Sequence, residues 1–104
     1  MQASIDIGPL KLASNVMLAP MTGVSDLPFR RLVAGFGAGL VFSEMIASPH
    51  LLAATAKTRR QLRFDAAMRP WAVQLAGHDP ATMAEAARFV VDQGCDLVDI
   101  NFGC

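Results

Sequence analysis

Cysteine is scarce in this chain, and that scarcity makes the first exclusion. Cys95 and Cys104 are too few for a disulfide framework, and with no Cys-x-x-Cys and no histidine pair at ligand spacing, no metal site is expected. Net charge is missing as well: the formal balance is zero, so no global field draws the chain to nucleic acid or to a membrane. No apolar run reaches the length of a membrane span, because Asp, Glu, Arg or Gly interrupts each one. Residues 1–9 offer neither a basic segment nor an apolar core, so no secretory signal is expected and the cytoplasm is the default compartment.

What is present is apolar. Of 104 residues, 53% are hydrophobic and 17% charged, more apolar than is usual for a soluble domain. The length suits one domain with a core of its own. The surplus predicts elements covered on both faces, or a burying partner supplied from elsewhere.

Ile5-Asp6-Ile7 and Leu10-Lys11-Leu12 alternate apolar and polar about Gly8-Pro9, which predicts a hairpin. Val16–Pro20 is short and continuously apolar, the pattern of a strand buried on both faces. Ser25 is a plausible N-cap for a first helix whose Phe29, Leu32, Val33 and Phe36 form one stripe, with Gly37 as a left-handed stop. Leu40-Val41-Phe42 predicts a second strand that delivers Ser43 and Glu44. Ser48-Pro49 opens a helix expected to run to about Thr58, followed by a less regular basic segment. Trp71–Leu75 reads as a third strand, with Gln74 polar inside an apolar run. Asp79-Pro80 caps and starts a third helix, with Met83, Ala87 and Val90 inward and Gly94 as its stop. Leu97–Asn101 is the fourth strand.

Four strands alternating with three helices demand a parallel sheet with right-handed crossovers. The strand repeat of roughly 25–30 residues matches the unit of a closed eight-unit barrel, which needs about 250 residues in all, so this chain is close to half of one. An open doubly wound sheet fits the same order, but such a sheet usually carries a glycine-rich turn after its first strand. Here that turn is Pro20-Met21-Thr22-Gly23. The expected fold is therefore α/β, the N-terminal half of a (β/α)8 barrel over residues 1–104, preceded by a β-hairpin.

Barrel chemistry is built at the carboxyl ends of the strands. Here those ends hold Pro20-Met21-Thr22, Ser43-Glu44, Gln74 and Asn101 to Cys104. Among them are no metal cluster and no Ser-His-Asp set. Amides, backbone groups and a thiol suit hydrogen bonding to a flat heteroaromatic ring.

The segment Ala19-Pro20-Met21-Thr22-Gly23-Val24-Ser25-Asp26-Leu27-Pro28-Phe29-Arg30 resembles the opening signature of the tRNA-dihydrouridine synthases. Gly37-Ala38-Gly39-Leu40, Ser43-Glu44-Met45, Val73-Gln74-Leu75-Ala76-Gly77 and Asp99-Ile100-Asn101-Phe102-Gly103-Cys104 continue the match in order, nearest to the bacterial B-type branch. Thr22 departs from it, since the family more often has alanine there. The resemblance implies an FMN barrel, replenished by NADPH, that saturates the C5–C6 bond of selected uridines in tRNA. It implies that Pro20, Met21 and Thr22 line the flavin through their backbone and that Gln74 hydrogen-bonds the isoalloxazine ring. Asn101 would orient flavin or uracil. Hydride would go to C6 of the uracil while Cys104 donates the proton to C5. A thiol of ordinary pKa, about 8.5, is mostly protonated at neutral pH, which suits a general acid. Reaching the ring requires the uridine to leave its stack, at a cost of roughly a few kcal/mol.

Each of these residues also has a plainer use. Gln74 could satisfy a buried neighbour, Asn101-Phe102-Gly103 could be an ordinary strand-ending turn, and Cys95 reads as an inert core residue. Met17 and Met21 suit packing, Glu44 suits structural hydrogen bonding, and His50 and His78 suit loop or helix-start positions. Gly35–Gly39 follows a helix and so is no dinucleotide loop. Lys57, Arg59, Arg60 and Arg63 carry enough charge to touch tRNA phosphates, although a solvated surface is the commoner use of such a run. Two other readings compete: a flavin barrel acting on free pyrimidines, and a piece without activity of its own. The second follows from four parallel strands with two open edges through which the chain could self-associate. The resemblance implies the other barrel half and a C-terminal helical RNA-binding domain beyond Cys104.

Overall fold

A computed structural model describes residues 3–103. At its start, β1 (Ile5–Ile7) and β2 (Leu10–Leu12) pair antiparallel, Ile5 opposite Leu12 and Ile7 opposite Leu10. The larger sheet contains β3 (Met17–Leu18), β4 (Leu40–Phe42), β5 (Ile46–Ala47), β6 (Trp71–Ala76) and β7 (Leu97–Ile100), and every pairing in it is parallel. Between the strands run α1 (Leu27–Gly35), α2 (Ser48–Leu52), α3 (Ala56–Gln61), a 3-10 turn at Ala66–Met68, and α4 (Pro80–Asp92).

The strands β4 and β5 lie along the same edge of β6: Val41 faces Trp71 and Ile46 faces Leu75, while β7 takes the other edge. They are two ends of one strand, interrupted at Ser43-Glu44-Met45. Ser43 keeps the ladder intact across the break. Its N–H donates to the Ala72 carbonyl (3.1 Å), and its Oγ accepts the Gln74 N–H (3.1 Å). The sheet thus has five strand segments where the sequence predicts four strands. Spatial order follows chain order from β3 to β7, with no reversal of the kind that divides a doubly wound sheet.

Alternation along the strands separates two cores. On one face Ile46, Val73 and Leu75 meet Leu51 of α2 and Ala86 and Val90 of α4, all at most 1% exposed. Trp71 and Cys95 close the lower end of that cluster, with Phe64 stacked on the Trp71 ring at 4.1 Å. On the other face Leu40 and Ala72 pack against Leu12 of the hairpin, with Ile7, Phe42 and Leu97 around them. The hairpin is therefore a plug at the amino ends of the strands. Burying one such aliphatic side chain stabilises by about 1.5–3 kcal/mol.

Local chemistry sets several boundaries differently from the sequence pattern. The cap of α1 is Asp26, whose Oδ1 accepts the Phe29 N–H (3.0 Å); Ser25 instead turns its hydroxyl back onto Met21. Along α1 the buried residue is Arg30, while Leu32 and Phe36 of the predicted stripe are 59% and 82% exposed. The run Val16–Pro20 contributes only the short edge strand Met17–Leu18, with Val16 and Met17 exposed, because no strand covers its outer side among the described residues. The helix expected from Ser48 to Thr58 is two helices. Ala54 at φ +52 breaks it, and Thr55 caps the second piece by accepting the Thr58 N–H. Ala47, not Ser48, is the cap of α2, and Ser48 instead donates to the Ala76 carbonyl (3.0 Å). The middle crossover therefore carries two helices and a 3-10 turn, and the three predicted helices become four.

Two glycines are dictated by space and torsion. Gly37 follows the end of α1 at φ +100, the left-handed stop the sequence predicts. Gly39 lies against the backbone of Ser14, where any Cβ would collide with the Ser14 carbonyl oxygen. Its own N–H donates to Val16 (2.8 Å), so this contact joins the segment after the hairpin to the start of β4.

Candidate functional site at the carboxyl edge of the sheet

The loop after β3 is tied down from within and from the next strand. Ser25 Oγ accepts the Met21 N–H (2.9 Å) and donates to the Met21 carbonyl (3.1 Å), a carbonyl that also accepts the N–H groups of Val24 and Ser25. Met21's backbone is thereby used up locally. Among the described residues the Pro20 carbonyl and the Thr22 backbone make no hydrogen bond. Glu44 accepts the Gly23 N–H through Oε1, clamping this loop to the end of β4. That is the structural hydrogen bonding expected of Glu44.

Beneath the loop lies a buried cation. Arg30 is 1% exposed; its Nε donates to the Ser25 carbonyl and its NH1 to the Arg63 carbonyl, both at 3.0 Å. Burial pushes the guanidinium's pKa down, and the negative charges of Glu44 and Asp26 push it back up. The Pro28-Phe29-Arg30 segment thus fastens the loop to the segment after α3.

Met45, in the break between β4 and β5, meets Asn101 just past β7, and Gln74 stands within β6. Asn101 extends the β7 ladder through its N–H to Leu75 (3.0 Å), and its Nδ2 lies 3.3 Å from Met45 Sδ. Its Oδ1 accepts the Gly103 N–H (2.8 Å), so Asn101 also organises the turn that leads to Cys104. Gln74 is 8% exposed, and its Nε2 donates to Asp99 Oδ2 at 2.7 Å. Asp99 went unnoticed as a site residue in the sequence. The available signal was a second polar residue in an apolar strand, in register with Gln74.

A cavity of about 240 Å³ opens beside this edge, lined by Thr22, Met45, Ala47, His50, Thr55, Lys57, Thr58 and Gln61. It joins the β3 loop to α3, whose Lys57, Arg59 and Arg60 are exposed, as is Arg63 just beyond it. Cys104 lies outside the described residues. Cys95 is buried at the opposite end of β7, its S–H directed to the carbonyls of Trp71 (3.4 Å) and Leu97 (3.0 Å), and burial pushes its thiol pKa up. That is an inert setting, as expected. Among the described residues no group of His, Cys, Asp and Glu could hold a metal ion, and no helix is long and apolar enough to cross a membrane.

The edge carries an amide pair, a clamped loop and a chain leading to a thiol, and the comparison with known proteins is direct. Residues 17–104 match the model of the dihydrouridine synthase family. The chain belongs to that family. It is 51% identical over 102 residues to a probable tRNA-dihydrouridine synthase of Rhodobacter capsulatus, covering 97% of this chain and 32% of the relative. A probable tRNA-dihydrouridine synthase of Rickettsia conorii is 50% identical over 104 residues, covering 96% and 30%. The tRNA-dihydrouridine synthase B of Pseudomonas aeruginosa is 47% identical over 100 residues, covering 96% and 30%. The chain spans about a third of the length of these curated relatives.

Proposed function

We propose that this chain forms the first half of a (β/α)8 barrel that reduces the C5–C6 bond of uridines in tRNA, with FMN as its cofactor and NADPH as the reductant. The family match carries the reading. The consecutive order of parallel strands supports it, since a barrel adds its units in chain order.

The residues present suit a flavin. Gln74 is 8% exposed, and among the described residues nothing donates to its Oε1, which leaves that oxygen as an acceptor for a ring donor. Met21 and Met45 offer polarizable apolar surface, and the Thr22 backbone and Asn101 are the further polar groups at this edge. Bound reduced FMN would supply the hydride. In this reading Gln74, the Pro20 carbonyl and the Thr22 backbone hold the ring with Met21 packed beside it, Asn101 orients flavin or uracil, and the Cys104 thiol holds the proton for C5. Lys57, Arg59, Arg60 and Arg63 lie where they could meet tRNA phosphates beside the cavity. Such work belongs to the cytoplasm.

Apolar exposure favours a second statement about the chain taken alone. Leu32, Phe36, Ile100 and Phe102 are 50–98% exposed, and the outer edges of β3 and β7 are unpaired among the described residues. The 104 residues by themselves are expected to bind FMN weakly, to self-associate and to be inactive. The deciding assay offers the full-length protein NADPH with either unmodified tRNA or free uracil and counts dihydrouridine. Reduction of the free base alone would move the protein to the pyrimidine reductases. A yellow, monomeric 104-residue preparation would refute the statement about the isolated chain.

A further inference from the structure

Gln74 is held from both sides by different means. Its backbone N–H is bound by Ser43 Oγ of the interrupted β4–β5 strand (3.1 Å). Its side chain is bound by Asp99 of β7, the residue opposite it in the parallel register. An ionised carboxylate only accepts hydrogen bonds, so the amide nitrogen must face Asp99 and the oxygen must face away. At 2.7 Å the bond belongs to the strong, charge-assisted class. The edge of an isoalloxazine ring presents one N–H donor between two carbonyl acceptors. An unrestrained glutamine could offer that edge either its nitrogen or its oxygen.

We propose that Asp99 is a positioning residue that locks the Gln74 amide with its oxygen outward, so that Gln74 accepts from the flavin N3–H. This rests on the flavin reading of the site. It makes Asp99 a determinant of ring recognition that touches neither flavin nor uridine. The lock also accounts for a carboxylate on an otherwise apolar strand, since among the described residues Gln74 is its hydrogen-bond partner.

The test uses the full-length protein stripped of flavin, with FMN affinity measured by fluorescence titration and folding by circular dichroism. Asp99→Asn lets the amide turn either way and should weaken FMN several-fold; Asp99→Leu should weaken it about tenfold, the size of one lost hydrogen bond. Gln74→Glu alone sets two carboxylates against each other and should abolish tight binding. Combined with Asp99→Asn, the asparagine donates and a carboxylate oxygen faces the ring, so affinity should recover most of the loss. A purely structural hydrogen bond would be restored in the same way, so the comparison of two flavins decides between the roles. A second measurement needs no variant: the unmutated protein should bind N3-methyl-FMN at least about tenfold more weakly than FMN. Equal affinity for the two flavins, or wild-type affinity in Asp99→Asn, overturns the lock while leaving the flavin reading intact. Failure of the unmutated protein to bind FMN overturns both.

Discussion

On the face of the sheet toward α2 and α4, Ile46, Val73, Leu75, Leu51 and Val90 seal one another to at most 1% exposure. On the opposite face Leu12, Leu40 and Ala72 are sealed only at the amino ends of the strands, by the hairpin, and farther along stand Gln74 and Asp99. The same strands feed both faces, so the difference comes from what each face is for. The helix side is completed by this chain's own crossovers. The other side is apolar under the hairpin and polar where the candidate site begins.

That contrast can be broken by substitution. Leu75→Ala should cost about 2–5 kcal/mol in urea unfolding, because a rigid core on the helix side cannot collapse around the gap. Leu12→Ala should cost less, since the hairpin it anchors can shift; equal losses would mean the two faces are equally finished. Arg30→Met strands the Ser25 and Arg63 carbonyls and should cost about 1–3 kcal/mol, with the β3 loop becoming protease-sensitive. Leu32→Ser with Phe36→Ser should stay within about 0.5 kcal/mol per site in the isolated chain while reducing its self-association in sedimentation. A large loss of stability there would show that this face of α1 is already packed.

Two pH effects sharpen the comparison further. Burial raises the Cys95 thiol pKa, so the stability it contributes is complete below its ordinary value near 9.0 and is lost as pH rises toward the folded value. Mapping of alkylated peptides should find Cys95 modified only after unfolding. The smallest effect belongs to Asp79, the cap of α4, whose pKa is lowered by hydrogen bonds from the Thr82 side chain and backbone. Its contribution is present above the ordinary carboxylate value of 3.8 and is lost as pH falls through the lower folded value. Asp79→Ala should flatten that acid limb of the stability curve.

The alternation about Gly8-Pro9, the Asp79-Pro80 start and the Gly37 and Gly94 stops were legible in the sequence because each depends on a few neighbouring residues. The break at Ser43–Met45 was not legible, because a hydroxyl that completes a neighbouring ladder leaves no periodic trace. The stripe on α1 misled for a related reason. Periodicity shows that a helix has an apolar side, but not which contacts the rest of the chain supplies to cover it. Of the site, Gln74 and Asn101 were visible as polar residues at strand ends, whereas Asp99 acquired meaning only from its partner.

By itself the sequence determined the order of the main strands and helices and the family to which the chain belongs. Apolar period, caps and ordered motifs are written along the backbone and survive without neighbours. Tertiary structure decided what depends on distance across the chain: Arg30 under the Ser25 loop, Glu44 holding Gly23, Met21 spent within its own turn, and Asp99 across from Gln74. Glu44–Gly23, Gln74–Asp99 and Arg30–Arg63 join residues 21, 25 and 33 positions apart, while the Arg30–Ser25 and Met21–Ser25 bonds close over 5 and 4. Hydrogen bonding is short-ranged and directional, so which groups meet is settled only when parallel register brings the strand ends side by side.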